Sequence, residues 1–383
     1  MWGINGKNKR DRLFFTLLFV PQASQSSWDR RAELDVRLAS SFGASACGME
    51  NKMRKKWIRG GIFLCLVLLL LSNLNRILCV KSPHGVDQAR YLYVQPKNKI
   101  DVLFLGSSHV HCNVNTQLLW DEYGMAAYLM TGAEQPLWNS YYNLKEALKT
   151  QKPKLVVLDM FCPSRFYDDF QPGWADENLD GMRISLNKLE AVYTSVQEEQ
   201  SHFFLGFTEY HSRYDQLTTE DFQNFVWNRK TQERWKGYTP LKRHAELTEP
   251  DMSHVTTSQE MTEKSKEYFE KIVELTKKEG ITLALISGPY LLEERDQEVY
   301  NSIGQLAEKD GLLFWNTNTP ARYREMGLDF STDYADHAHL NEAGSAKYTA
   351  YLGKWLSKNY SFPDRRGQKG YESWENQLMK SGE

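Results

Sequence analysis

Five short apolar runs recur between residues 100 and 315 of the chain. They occupy residues 100–105, 126–130, 155–159, 281–286 and 312–315. Short runs with almost no polar alternation are typical of strands that are buried on both faces of a parallel sheet. The pattern therefore predicts five strands in one mostly parallel sheet.

Amphipathic helical patterns alternate with these runs. They cover residues 138–150, 260–279, 298–309 and 342–356. Gly280 and Gly311 follow two of the patterns, and glycine is the residue that most often ends a helix. Strands that alternate with helices at this interval predict right-handed βαβ units, and hence an α/β fold with helices on both faces of the sheet.

The alternation stops after the third run. Residues 161–257 are aromatic and charged, and they leave the sheet at the carboxyl end of the third strand, the edge where open α/β sheets bind their ligands. We expect a mostly helical cap insertion over the site, so the α/β domain consists of residues 100–160 and 258–360. A polar linker, residues 81–99, is expected before this domain, and a loosely ordered polar tail, residues 361–383, after it.

A longer apolar segment, residues 58–80, precedes the sheet and predicts a transmembrane helix. Its centre is almost purely aliphatic, and four basic residues crowd its N-terminal side: Arg54, Lys55, Lys56 and Arg59. The positive-inside rule places residues 1–57 in the cytoplasm and the large domain outside. We expect an uncleaved, single-pass signal anchor in the cell membrane. A cleaved signal peptide is the alternative, because the apolar centre is short.

Residues 1–48 differ in composition from the rest of the chain. Met49 opens a basic lead-in to the apolar segment. We expect translation to start at Met49 or Met53, which would make residues 1–48 an over-extended reading frame. A cytoplasmic tail is the alternative, and neither interpretation changes the exported domain.

Charge and cysteine content narrow the class of protein. Residues 1–59 carry 12 Lys or Arg and 5 Asp or Glu, whereas the rest of the chain carries 35 and 44. An acidic main domain argues against a nucleic-acid partner.

The five cysteines include no Cys-x-x-Cys pair, and only Cys112 and Cys162 follow the apolar segment. These two could form a disulfide or remain as buried thiols.

Two motifs at opposite ends of the domain predict its chemistry. The first run ends in Gly106-Ser107-Ser108, and an Asp-x-x-His motif, Asp336 to His339, precedes the last helix. Acyl transfer needs a hydroxyl nucleophile, a base and a group that orients the base. We interpret Ser108 as the nucleophile, His339 as the base and Asp336 as the orienting carboxylate. Asp333 is the alternative orienting group, and serines that merely cap a helix are the structural alternative.

Gly-Ser-Ser after the first strand, with Asp-x-x-His-Leu-Asn before the last helix, resembles the SGNH/GDSL hydrolase superfamily. The export signal makes the chain similar to its DltD-like and alginate-O-acetyltransferase-like branches. The resemblance covers roughly residues 100–358. It implies a three-layer α/β/α sandwich of the flavodoxin-like type and a Ser-His-Asp acyl-enzyme built on Ser108. It also implies an oxyanion hole that includes the backbone amides of Ser108 and Gly132.

The sequence departs from the family pattern in two blocks. Ser107 stands where the family has aspartate, and residues 158–163, after the third strand, lack the family's asparagine. A third oxyanion donor must therefore come from elsewhere. Gln135, three residues past Gly132, is our candidate.

Other polar residues are candidate ligand contacts. We expect His109, beside the nucleophile, and His211 and Arg213, in the insertion, to bind substrate. His109, His111 and His337 could be considered as a metal set, but no carboxylate stands at a fixed spacing to them. We therefore expect no metal and no organic cofactor.

These patterns predict an exported, membrane-anchored serine esterase or O-acyltransferase that acts on acyl groups of a cell-surface glycan or polymer. The expected partners are that acylated polymer, the bilayer through residues 58–80 and, further, a multi-spanning membrane acyltransferase. A catalytically inactive cell-surface binding or assembly protein of the same fold is the alternative, and the missing asparagine favours it. Hydrolysis and transfer share the acyl-enzyme, so the sequence leaves both open.

Overall fold

A computed structural model describes residues 25–78, 85–166, 168–198, 200–204, 211–223 and 235–375 of the chain. The chain divides into two compact units, residues 1–71 and 72–383. The sheet, its flanking helices and the candidate site all belong to the second unit.

Helix α1 (Gln25–Leu78) contains residues 58–78 of the predicted apolar segment, and residues 79–80 lie outside the described residues. Within it, Lys52–Asn75 is long and apolar enough to cross a membrane, and it is the one segment of the described chain with this property. The prediction of such a helix near the N-terminus is confirmed. The helix begins well before residue 58, and no proline interrupts residues 25–57.

All five predicted runs form strands. They are β1 (Val102–Gly106), β2 (Ala127–Thr131), β3 (Leu155–Asp159), β4 (Thr282–Ser287) and β5 (Leu313–Asn316). Every neighbouring pair is parallel, and the order in the sheet is β2-β1-β3-β4-β5. The predicted α/β fold with a parallel five-stranded sheet is confirmed. Because the strand order reverses beside β1, the carboxyl end of β1 opens into the crevice where such sheets bind ligands.

The helices after α1 connect and flank the strands. They are α2 (Val86–Leu92), α3 (Ser108–Asn113), α4 (Thr116–Tyr123), α5 (Leu137–Ala147), α6 (Phe161–Arg165), α7 (Ala175–Leu179), α8 (Leu186–Ser195), α9 (Thr219–Gln223), α10 (Glu263–Glu279), α11 (Glu294–Asp310), α12 (Pro320–Met326), α13 (Glu342–Asn359) and α14 (Glu372–Glu375). Short 3-10 helices span Pro172–Trp174, Gln200–Phe203 and His211–Asp215. The four helices predicted from the sequence are α5, α10, α11 and α13.

Alternate strand residues enter two separate apolar clusters. Leu103 packs in one cluster with Ile272 of α10, whereas Val102 and Phe104 pack in the other with Leu352 of α13. Helices therefore cover both faces of the sheet. This arrangement explains why the strands are apolar throughout and show no alternation of polar and apolar residues.

Two segments predicted as polar connections are packed against the domain instead. Leu92 of α2, in the expected linker, is fully buried. Trp374 of α14, in the expected tail, is also fully buried, and its indole Nε1 donates to the Ala127 carbonyl at 3.1 Å. Arg365 binds Asp101 through two nitrogens, at 2.6 and 2.8 Å. The apolar residues of the expected linker and tail are too few to form a helical or strand periodicity. The sequence pattern therefore did not reveal this packing.

Cys112 and Cys162 are both free thiols in buried positions. Burial raises the pKa of each thiol, which keeps it protonated at neutral pH. Of the two sequence alternatives for this pair, the structure contains the buried thiols and not the disulfide.

Candidate active site

Gly106 and Ser107 set the position of Ser108 at the end of β1. Gly106 has a φ of 154°, and a Cβ atom there would lie 2.7 Å from both the Asp159 Cβ and the Val110 Cγ2. Only glycine fits this turn. Ser107 caps α3, because its Oγ accepts a hydrogen bond from the His109 amide at 3.2 Å. Ser108 is therefore the first residue of the helix, at the carboxyl edge of the sheet.

The loop before α13 brings His339 to the same edge. Asn341 caps α13 by accepting from the Gly344 amide at 3.1 Å. The next residue back, Leu340, donates its amide to the Asn113 side chain at 2.9 Å, which ties the loop to the end of α3. This long-range hydrogen bond holds His339 beside Ser108.

Ser108, His339 and Asp336 form a continuous chain of hydrogen bonds. The Ser108 Oγ lies 2.8 Å from the His339 Nε2, and the His339 Nδ1 lies 2.8 Å from the Asp336 Oδ1. With Nδ1 protonated, His339 donates to the carboxylate, and its Nε2 can accept the serine proton. The three residues that the sequence singled out for acyl chemistry lie within hydrogen-bond distance in the order that the chemistry needs.

Four donors converge on the Asp336 carboxylate. Its Oδ1 also accepts from the backbone amides of Ala338 at 2.9 Å and His339 at 3.0 Å, and its Oδ2 accepts from Arg243. Burial alone would raise the pKa of this carboxyl. The hydrogen bond and charge of His339, the Ala338 amide and Arg243 together outweigh burial and hold the pKa well below its usual range. Asp336 is therefore ionised at any pH near neutrality.

A strap, residues 241–247, delivers Arg243 to this carboxylate. Three backbone hydrogen bonds pair the strap with residues 330–342, the segment that carries Asp336. The Ala245 amide donates to the Tyr334 carbonyl at 2.8 Å, and the Leu247 amide donates to the Phe330 carbonyl at 2.9 Å. The Glu342 amide donates to the Leu241 carbonyl at 2.9 Å. The insertion thus contacts the candidate site through an extended segment.

An open cavity of about 420 Å³ lies over Ser108. Its walls come from the insertion, from the loop after β2 and from the loop before α13. The lining residues are Ser108, Glu134, Phe161, Arg165, Phe166, Arg243, Ala335, Asp336, His337, Ala338 and His339. Aromatic faces and a few charged groups around one hydroxyl are typical of a small-molecule site.

Glu134 is the carboxylate on the wall formed by the loop after β2. Its φ is +42°, an unusual value for a residue other than glycine. Burial raises the pKa of its carboxyl, and a hydrogen bond with Trp174 opposes this effect in part. Arg165, on the opposite wall, is paired with Glu293 at 3.0 Å and with Asp296 at 3.2 Å.

The structure separates the three predicted oxyanion donors. The Ser108 amide, as the first of α3, has no carbonyl partner within the helix. Gly132 lies on the loop after β2, where a Cβ atom would come within 2.2 Å of the Asn178 Oδ1. Gln135 is different, because its amide is buried and used elsewhere: Nε2 donates to the Ser140 Oγ at 3.0 Å, and Oε1 accepts from Asn143 at 2.8 Å. Gln135 is not among the residues that line the cavity.

His109 does not reach the cavity, so its predicted contact with substrate is not supported by its position. The side chain is 1% exposed and its Nδ1 lies 3.3 Å from the Asp159 Oδ1. The ring stacks on Phe161, with 4.6 Å between centroids. Being the second residue of α3, His109 points into the domain while Ser108 points out of it.

Arg213 is also placed away from the cavity. It donates to the Leu78 carbonyl at 2.5 Å and lies 3.4 Å from Asp221, so its charge fixes the junction between the end of α1 and the insertion. The side chain of His211 lies outside the described residues.

The residues considered as alternatives, Asp333 for the orienting carboxylate and His111 and His337 for a metal set, have other environments. The Asp333 Oδ2 accepts from Lys347 at 2.7 Å and from the Asp329 amide at 2.7 Å, and Asp336 is the carboxylate bound to His339. His111 lies 3.2 Å from the Thr131 hydroxyl, and His337 is exposed on the cavity rim. Among the described residues, no three His, Cys, Asp or Glu side chains are arranged to hold a metal ion.

Sequence patterns missed most of the cavity wall. Arg243 and Arg165 lie 93 and 131 positions from the carboxylates they bind, and no local period records such a pairing. Phe161 and Phe166 belong to the aromatic insertion, whose composition does not indicate which of its aromatic residues face the cavity. The one usable signal was position, because Phe161 and Arg165 follow the carboxyl end of β3, at the ligand-binding edge.

Comparisons with known proteins add a distant structural likeness. No family model matches the sequence, and no curated protein matches it. Among solved structures, the chain is similar to the crystal structure of a proposed acylhydrolase from Bacteroides fragilis, with a TM-score of 0.36 and 12% sequence identity. The match covers 73% of this chain and 99% of that one.

Proposed function

We propose that the chain is an exported, membrane-anchored serine esterase or O-acyltransferase of the SGNH type, acting on acyl groups of a cell-surface glycan or polymer. The observation that carries the proposal is the chain of two 2.8 Å hydrogen bonds from Ser108 through His339 to Asp336, at the floor of an open cavity. Helices on both faces of a parallel sheet support the three-layer α/β/α arrangement that this type implies.

The first half-reaction would form an acyl-enzyme. The Ser108 Oγ attacks the ester carbonyl while its proton moves to the His339 Nε2, and the leaving alcohol then departs with that proton. Asp336 stabilises the imidazolium that forms between these steps. The backbone amides of Ser108 and Gly132 would donate to the oxyanion, although the structure gives no third donor from Gln135.

The second half-reaction decides between the two activities. An acceptor hydroxyl gives its proton to His339 and attacks the acyl carbon, and the bond to the Ser108 Oγ breaks as His339 returns the proton to that oxygen. Water as acceptor makes the protein an esterase, and a sugar hydroxyl makes it an acyltransferase. A cavity of about 420 Å³ has room for both a small acyl group and an acceptor.

Helix α1 supports the proposed cellular setting. The basic residues before the apolar segment support an N-terminus inside and a catalytic unit outside the cell membrane, with the bilayer as a partner. A multi-spanning membrane acyltransferase is a further proposed partner, because a membrane enzyme could supply acyl groups to this side.

Ester turnover by the full-length chain in detergent tests the proposal. We expect p-nitrophenyl acetate to be hydrolysed and a fluorophosphonate probe to label Ser108. Ser108→Ala or His339→Ala should lower kcat on the order of 10⁴- to 10⁶-fold, because the members of such a unit act together.

Ser253→Ala and His254→Ala serve as matched controls. Both residues are exposed on the surface, outside the cavity lining, so these variants should keep the wild-type rate. Activity that survives in Ser108→Ala would place the chemistry elsewhere. A wild-type chain that neither turns over ester nor takes the probe would favour an inactive cell-surface binding protein.

A further inference from the structure

Helix α8 presents an apolar face to the outside of the domain. We call Ile184, Leu186, Leu189 and Tyr193 the α8 stripe. Ile184 is 74%, Leu186 77% and Tyr193 60% exposed. The opposite face of the helix is buried through Ala191 and Val192. The helix therefore has apolar residues on both its inner and its outer face, which is unusual for a surface helix.

The spacing of the stripe makes it a continuous surface. Leu186, Leu189 and Tyr193 are separated by three and four positions, so their side chains lie one above the other on one side of the helix. Ile184 extends the surface at its N-terminal end. Exposed apolar residues scattered singly are ordinary, but a contiguous group marks a surface that meets another apolar phase.

Exposed apolar side chains are concentrated in one part of the described chain. Outside α1, the large apolar residues with high exposure are Trp174, Ile184, Leu186, Leu189, Tyr193, Tyr214, Phe222 and Leu313. All of them except Leu313 lie in the insertion, between residues 174 and 222. Most of the exposed apolar area outside α1 therefore belongs to the insertion.

Chain connectivity places the beginning of the stripe near the point at which the chain enters the domain. The chain enters the domain at Gly85, where a Cβ atom would lie 2.3 Å from the Glu177 carbonyl oxygen, so the two backbones touch. A Cβ on Gly181, three residues before Ile184, would lie 2.5 Å from the Val86 carbonyl oxygen. The seven Cα–Cα steps from Leu78 to Gly85 can span at most about 25 Å. Helix α7 and the turn that leads into α8 thus contact the chain where it enters the domain.

We propose that the α8 stripe lies in the interfacial layer of the bilayer that holds α1, as a second, shallow contact between the catalytic unit and lipid. This inference rests on the membrane anchor of the proposed function. Lipid is favoured as occupant because the stripe is next to the arriving tether, and because Tyr193 and Trp174 are residue types enriched at membrane interfaces.

The contact would fix the direction of the cavity relative to the membrane. Trp174, an exposed aromatic residue of the insertion, hydrogen-bonds Glu134, which lines the cavity over Ser108. The catalytic unit would then work close to the membrane surface, instead of moving freely at the end of a tether.

Photolabelling of the full-length chain in phospholipid vesicles tests this inference. The probe is a phosphatidylcholine with a diazirine near the ester end of one acyl chain, and adducts are mapped by mass spectrometry. We expect adducts within residues 52–75 and at Tyr193. The triple variant Ile184→Ser/Leu186→Ser/Leu189→Ser should lower the Tyr193 adducts at least about tenfold, because it removes apolar area from the contact.

The adducts within residues 52–75 should not change in that variant, and Leu313→Ser, an exposed leucine outside the insertion, should change neither set. Labelling within residues 52–75 with none at Tyr193 would overturn the docking surface and leave the anchor intact. Absence of both sets would instead contradict the anchor itself. Concentration-dependent crosslinks between Tyr193 regions of two chains would overturn the proposal in favour of a self-association surface. Thermal unfolding of each variant separates these results from loss of fold.

Discussion

At the scale of single residues, the two oxygens of Asp336 have different partners. Oδ1 accepts from His339 and from two backbone amides of its own loop, whereas Oδ2 accepts from Arg243. The loop amides fix one edge of the carboxylate. The guanidinium fixes the other edge, so the plane of the carboxylate, and with it the ring of His339, is held from two sides.

Arg243→Met should therefore lower kcat for ester turnover roughly 10-fold to 100-fold, because the carboxylate loses the donor that fixes Oδ2. KM for a small ester should change little. The remaining donors still keep the pKa of Asp336 low, so the loss should be the same at pH 6 and pH 8. Steady-state kinetics at both pH values measure this effect.

Two further variants separate charge from geometry. Arg243→Lys keeps the charge but not the planar fork, and should recover only part of kcat. Lys242→Met removes an exposed charge one position away on the same strap and should leave kcat unchanged. Equal losses in Arg243→Met and Lys242→Met would contradict a specific role for Arg243.

At the scale of elements, local signals decide how much of the fold can be predicted from sequence. Strands β1 to β4 are short runs of largely buried residues, and each of the five strands ends in glycine or a small polar residue. Strand β3 has the predicted bounds, and the others differ from them by one or two residues. Helix ends at Gly280 and Gly311 have the left-handed conformation that glycine favours. Ser108, Asp336 and His339 could be found because two motifs encode them.

The elements that could not be predicted are held by contacts between distant parts of the chain. Helix α14 has only four residues, and its register depends on a hydrogen bond to Ala127, 247 positions away. The strap depends in the same way on its pairing with residues 330–342. Neither segment has a period of its own, so a sequence pattern assigns both to loops.

Trp374→Ala should destabilise the catalytic unit by about 3–5 kcal/mol. The indole is fully buried, stacks on Trp120 and lies 4.0 Å from the Lys236 ammonium. Its removal therefore leaves a cavity, and the Lys236 ammonium loses its contact with the aromatic ring. Urea unfolding followed by circular dichroism measures the change. Glu372→Ala, on the same helix but exposed, should cost less than about 0.5 kcal/mol. Similar costs for the two variants would mean that α14 contributes little to the fold.

At the scale of the whole molecule, the catalytic unit is built to be complete without the anchor. Every residue of the Ser108–His339–Asp336 chain, the strap and both apolar clusters follows the division at residue 71. The tail returns to the beginning of the sheet, because Arg365 binds Asp101 beside β1. Chain ends that lie close together are common in domains that fold alone.

A chain that starts at Ser72 should therefore fold and keep the ester turnover of the full-length protein within about twofold, since the deleted residues supply no part of the site. Its unfolding midpoint in urea should match that of the full-length chain in detergent. Membrane attachment should change, because a shallow contact of a few side chains is reversible, whereas a spanning helix is effectively permanent. In vesicle flotation, all of the full-length chain should float with the vesicles. The fraction of the shorter chain that floats should rise with the lipid concentration. A shorter chain that is folded but inactive would show that α1 shapes the site, and would contradict the independence of the two units.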